Sequence, residues 1–198
     1  LLDTFATANS LSHSTVLKDR ILVDDVPSSH DFLTDIITAM NENRIIEITH
    51  QSFHRETPGT FPVAPYCLRM FQRRWYLLGK SINDERIRLY GLDRVMKVET
   101  TDDTFTLPED FDAKDYFANS FGVIVGVDIP VQHIVIRAKS PHQYYLRTLP
   151  LHKSQKELAA NSDYADFELE LRPTYDFCME LLRAGDMIEV LEPESLRH

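Results

Sequence analysis

Five arginines crowd residues 73–94: Arg73 and Arg74 ahead of Trp75, then Arg86, Arg88 and Arg94. A guanidinium offers five donors in a rigid fork that matches phosphate or carboxylate oxygens, and its flat face stacks on bases and aromatic rings. The only tryptophan, Trp75, lies among them with Tyr76 and Tyr90. Arg86, Arg88 and Tyr90 alternate, which places them on one face of a strand. Two arginines on one face repel unless an anion or a carboxylate sits between them. The chemistry on offer is therefore anion binding. Other chemistries find less support. His50 and His54 are four apart, a spacing that suits zinc on a helix, but the pattern here is strand and loop with no Cys or third His nearby. There is no Gly-x-Ser-x-Gly elbow, no phosphate-cradling glycine loop and no metal-ligand set, so neither an enzyme nor a cofactor is expected. Asp84-Glu85 reads as a solvated turn.

The elements that must position these side chains follow from periodicity. Ser29 reads as the N-cap of a helix to about Asn41 whose face is Phe32, Ile36, Ile37 and Met40. From Arg44 the period becomes two, predicting five strands: one from Arg44 to His50, then Val63 to Gln72, Arg74 to Ser81, Arg86 to Leu92 and Val95 to Thr100. Alternation puts Trp75 and Leu77 in a core, with Tyr76 facing the other way beside Arg74 and Leu78. Asp93-Arg94 is open between a structural turn with an ion pair and a ligand contact.

After an acidic connector, the order strand (131–138), helix (141–149), weak strand (153–158), strand (166–171), helix (175–184) and strand (187–191) predicts a β-α-β-β-α-β unit. The boundaries read as a helical linker over 1–29, a five-stranded domain over 30–107, a connector over 108–129 and an α+β domain over 130–198. Tyr144-Tyr145, Phe177 and Met179 read as core or dimer surface.

Charge sharpens the anion argument. The chain of 198 residues carries a net charge of −10, which disfavours a non-specific nucleic-acid binder. Residues 41–100 nonetheless hold ten Lys and Arg against seven Asp and Glu, a net of +3, while the remaining 11 basic and 24 acidic residues carry −13. A mildly basic module in an acidic chain is what a local anion site requires. Cys67 and Cys178 are too few for a disulfide framework and read as buried thiols in a reducing cytoplasm. No apolar run reaches the roughly 20 residues of a membrane span. The start at Leu1, in an amphipathic stretch with Phe5, Ala8 and Leu11, suggests a piece of a longer protein.

Arg74-Trp75-Tyr76-Leu77, followed by Leu92-Asp93-Arg94-Val95 and preceded by Pro65, resembles the WYL domain. Leu149-Pro150-Leu151-His152-Lys153-Ser154-Gln155 resembles the extension that often follows WYL domains. The resemblance spans about residues 30–195. It implies an α+β fold: a small Sm-like five-stranded β-barrel, then a compact ferredoxin-like α+β domain. It also implies a ligand sensor in a bacterial transcriptional regulator, usually with a winged helix-turn-helix upstream. Residues 1–29 are too short for that domain, so DNA contact is expected only through a missing segment or a partner, with a homodimer as the default and no membrane partner.

By the family pattern, His50 stands where tyrosine is common and lines the site, with Ser52 on the same face. Arg88 and Arg94 match best, with Arg69 and Arg73 auxiliary and Tyr76 and Tyr90 beside them. Two positions depart from the pattern: Phe61 or Pro62 replaces a basic residue, and Gly91 stands where arginine or another polar residue is common. A nucleotide or short single-stranded nucleic acid is the expected anionic ligand, and a pure interaction or dimerisation module is the alternative. His152, Ser154 and Gln155 are expected to act structurally.

Overall fold

The computed structural model describes residues 30–53 and 55–197. The helical linker expected over 1–29, and His54, lie outside them.

Helix α1 (His30–Asn41) packs over a sheet of five antiparallel strands. These are β1 (Arg44–His50), β2 (Gly59–Phe71), β3 (Arg74–Ser81), β4 (Ile87–Gly91) and β5 (Val95–Thr104). Their order in the sheet is β4-β3-β2-β1-β5. Ile36 and Ala39 are fully buried and Phe32, Leu33 and Met40 pack beside them, whereas Ile37 turns out to solvent. Three of the four expected face residues thus point inward, and Leu33 and Ala39 complete the buried face in place of Ile37. Leu77 is fully buried and Trp75 packs against the same core, as alternation requires.

The expected barrel closure is absent. β4 and β5 are the two edges of the sheet and share no ladder. The reason lies in their connection: a 3-10 turn over Leu92–Arg94 leads straight from Gly91, paired with Tyr76, to Val95, paired with His50. The chain crosses to β1 instead of folding back beside β4.

β2 is long and bent. Pro65 pairs with Gly79 and Cys67 with Leu78, so Tyr66 is an extra residue, a β-bulge. Val63 and Leu68 therefore share one core although five residues separate them, which an unbroken period of two forbids. Tyr66 packs its ring on Phe105 at 5.9 Å and Phe111 at 5.1 Å.

The connector holds a single helical turn, α2 (Ala113–Tyr116), capped by Asp112, whose Oδ1 accepts from the backbone N–H of Lys114 (2.6 Å) and Asp115 (3.0 Å). The second unit runs β6 (Gln132–Lys139), α3 (His142–Thr148), β7 (Lys156–Ala160), β8 (Tyr164–Leu171), α4 (Tyr175–Ala184) and β9 (Ile188–Glu192). Its antiparallel sheet has the order β7-β8-β6-β9. Ala165, Phe167, Leu169 and Leu171 alternate into a core with Ile134, Ile136, Leu146 and Phe177.

Three rings tie the two units together. Phe121 of the connector lies 5.5 Å from Phe71 of β2 and 5.8 Å from Phe177 of α4. His152 adds a polar tie. Its Nε2–H donates to the Ala118 carbonyl at 2.9 Å, and Nδ1 lies 2.7 Å from Ser154 Oγ. Gln155 donates to the Leu146 carbonyl (2.8 Å) and accepts from the Leu151 N–H (2.9 Å). Cys67 and Cys178 are half-buried free thiols. No helix among the described residues is long and apolar enough to cross a membrane.

Candidate anion site at the open end of the first sheet

The end of β1, the loop after it, the start of β2 and the β3–β4 loop surround a cavity of about 480 Å³. His50, Ser52, Arg88 and Tyr90 line it, four of the residues singled out from the sequence. Arg55, Phe61, Ser81, Asn83 and Asp84 complete most of the wall.

His50 ends β1 and is 8% exposed, while Tyr90 on β4 is 5% exposed. Their rings meet edge to face at 5.7 Å. Neither His50 Nε2 nor Tyr90 Oη has a hydrogen-bond partner. A buried polar atom left unpaired costs about 1–3 kcal/mol, so two such atoms on the wall of one cavity are an unusual expense for a structure that does not use them. Burial lowers the His50 pKa, and the Arg94 charge lowers it further, so the imidazole is neutral at pH 7 and can accept or donate. Burial also raises the Tyr90 pKa, keeping its hydroxyl protonated.

Arg88 is not left facing Arg86 without an anion. Asp84 reaches it from the β3–β4 loop through a short charge-assisted contact. That partner, with the Ser81 hydroxyl, holds the Asp84 carboxyl at about 2. Asp84 is an exposed turn residue, as read from the sequence, but the inference that the strand's arginines demand an outside anion is corrected. Asp84 already supplies a carboxylate. Arg55, which the sequence did not single out, sits 5.5 Å over the Phe61 ring and adds a second cation to the wall. It lies in a loop without periodicity, so nothing in the pattern marked it.

Arg94 stands just outside the cavity, in the 3-10 turn with Asp93. Asp93 reaches Arg74 at 3.2 Å and Arg94 Nε at 3.7 Å from the 3-10 turn. The Arg94 guanidinium also stacks 4.4 Å over Phe53, whose ring is 76% exposed. Gly91 makes this approach possible. A Cβ there would lie 2.6 Å from Asp93 Oδ1 and 2.7 Å from Arg94 Nη2. The departure from the family pattern at residue 91 thus makes room for residue 94.

Three further expected site residues, like Arg94, do not line the cavity. Arg69 lies beyond the Tyr66 bulge, which turns it away from the core face, and stacks 4.2 Å over Phe117 of the connector. Arg73 sits in the two-residue β2–β3 turn, where Gln72 and Arg73 have φ of 45° and 64°, at the far tip of the hairpin. Tyr76 pairs with Gly91 on the face opposite Leu77, near Arg74, Asp93 and Asp176, and its burial raises its pKa.

Comparison with known proteins agrees with this division. Residues 31–100 match the WYL domain and residues 130–198 match the WCX domain. A search of curated proteins finds no match. Among solved structures, Proteasome accessory factor B/C (PafBC) of Arthrobacter aurescens is similar at 19% identity with a TM-score of 0.46, over 96% of this chain and 29% of that one. A CRISPR Cas-related protein is similar at 11% identity with a TM-score of 0.45, over 82% of this chain and 48% of that one. The chain therefore spans less than half the length of either.

Proposed function

We propose that this WYL–WCX region is the ligand-sensing effector part of a bacterial transcriptional regulator. It binds an anionic ligand, a nucleotide or short single-stranded nucleic acid, and relays that event to a DNA-binding domain carried elsewhere. In this reading it performs no catalysis, works in the cytoplasm and acts as a homodimer. Its sheets are an opened Sm-like barrel and a ferredoxin-like unit.

The observation that carries the reading is the pair of buried, unpartnered atoms, His50 Nε2 and Tyr90 Oη, on a cavity that also holds Arg55 and Arg88. A ligand oxygen or base edge satisfies both atoms and removes the penalty of leaving them dry. Its phosphate competes with Asp84 for Arg88. Exposed Phe53, backed by Arg94, offers a stacking platform in the loop between Ser52 and Arg55, suited to a base of a single strand. Ligand binding favours the arrangement that holds these groups together and shifts the population towards it.

The test is titration with nucleoside monophosphates and short oligonucleotides. Arg55→Gln with Arg88→Gln should weaken binding about tenfold or more, and Asp84→Asn should strengthen it by freeing Arg88. Equal affinity in all three proteins overturns the proposal. The alternative, a module that only dimerises or docks on protein, draws support from Tyr175 (70%), Leu182 (64%) and Met179 (44%) exposed on α4. A dimer that forms through this helix and ignores every nucleotide favours it.

A further inference from the structure

A second cavity, about 620 Å³, opens where the two domains and the connector meet. It is separate from the cavity under His50 and shares none of its lining residues. Three cations edge it, one from each part of the chain: Arg69 from β2, Lys114 from α2 and Lys153 from the loop after α3. No carboxylate lines it.

Arg69 is the informative member. It is half-buried and stacked on Phe117, yet it forms no salt bridge among the described residues. The carboxylate whose charge it feels is Asp176, and that group is already occupied. Its Oδ2 accepts from the Ile124 N–H (3.1 Å), and its Oδ1 accepts from the Phe177 N–H (3.2 Å) and the Thr174 hydroxyl. Burial works against the charge of Arg69 by more than the Asp176 carboxylate, held by other donors, offsets.

A second observation is independent of charge. Ser120, 3% exposed, lines the same cavity, and its Oγ has no hydrogen-bond partner. His152 lines it too. Its Nε2–H is committed to Ala118, and its pKa is lowered chiefly by burial, with the charges of Lys153 and Arg69 lowering it further. Phe121 and Leu151 supply an apolar wall.

We propose that this junction is a second ligand site, taking a small phosphomonoester whose oxygens meet Arg69, Lys114, Lys153 and Ser120 Oγ and whose apolar body lies against Phe121 and Leu151. A ligand there touches both domains and the connector, so it braces them in one relative orientation. The site stands whether or not the cavity under His50 binds anything.

Titration at fixed ionic strength with two probes, inorganic phosphate and phenyl phosphate, tests it. Phenyl phosphate should bind more tightly than inorganic phosphate. Lys114→Gln with Lys153→Gln, both on exposed side chains, should weaken phenyl phosphate about tenfold. Arg69→Gln should do at least as much. Because the proposed site under His50 takes phosphate too, both titrations are run in an Arg88→Gln background, where saturable binding should persist and so belong to the junction. The proposal is overturned if the double lysine variant binds as the parent does, if Arg88→Gln abolishes binding, or if phenyl phosphate shows no saturable binding up to about 10 mM.

Discussion

In the C-terminal sheet Arg137 holds Asp166 through two hydrogen bonds of 2.8 Å each, and Arg147 holds Glu157 at 2.7 Å. The fully buried Gln143 donates to the Ser162 carbonyl (3.3 Å) and accepts from Arg147 (3.3 Å). The N-terminal sheet has the same kinds of residue and leaves them incomplete. His50 Nε2, Tyr90 Oη, Asp93 Oδ1 and Arg94 Nε are all buried without hydrogen-bond partners. Both sheets are antiparallel and both rest on an alternating apolar core, so the contrast is not one of architecture. Among the described residues the C-terminal unit leaves one such atom, Arg172 Nε just past β8, whereas the N-terminal sheet leaves four, two of them on the wall of a cavity. Satisfied groups argue for a scaffold and orphaned ones for a site.

Mutations can break or sharpen that contrast. The largest effect is expected in the scaffold: Phe167→Ala should lose about 3–5 kcal/mol in chemical denaturation, because Phe167 is fully buried in the C-terminal core. His152→Leu comes next, at about 1–3 kcal/mol, since it strands the Ala118 carbonyl that the imidazole satisfies. Tyr90→Phe should have the opposite sign. Removing a hydroxyl that has no partner should stabilise the protein by about 1 kcal/mol while weakening ligand binding. If Tyr90→Phe instead destabilises it, the hydroxyl is satisfied in solution and the contrast between the sheets weakens.

The smallest effect is a pH dependence. His50 and His152 both have folded pKa values below the free value of 6.5, chiefly from burial. The unfolded chain therefore binds their protons more readily, so stability is complete above 6.5 and declines as the pH falls through it. His50→Leu should flatten the decline measured between about pH 7 and 5, as should His152→Leu. An unchanged slope in both variants would remove these imidazoles from the acid response.

Much of this arrangement was legible in the sequence. The strand Arg74–Ser81 and the helix Tyr175–Ala184 fall where alternation and helical spacing put them, and Trp75 and Leu77 face the core as expected. β2 was harder. The sequence places its start at Val63 after a turn at Pro58-Gly59, yet the strand begins at Gly59 and carries Pro62 as well as Pro65. The Tyr66 bulge then reverses which residues face the core, so Arg69 could not be assigned to a face by counting. The cavity was half legible. His50, Ser52, Arg88 and Tyr90 follow from strand position, whereas Asp84 and Arg55 reach it through loops whose paths no periodicity encodes. The junction cavity was invisible, because its three cations come from segments far apart in sequence.

One strand reaches both cavities. Phe61 stands in the wall of the first and Arg69 at the edge of the second, eight residues and about 26 Å apart along β2. A paired strand is a stiff beam, and this one is pinned to β1 along its first part and to β3 along the rest. Its weak point is the extra residue at Tyr66, clamped between Phe105 and Phe111. Any push transmitted along the beam must either carry through that clamp or be absorbed by it, which makes those three rings a mechanical fuse between the two ends.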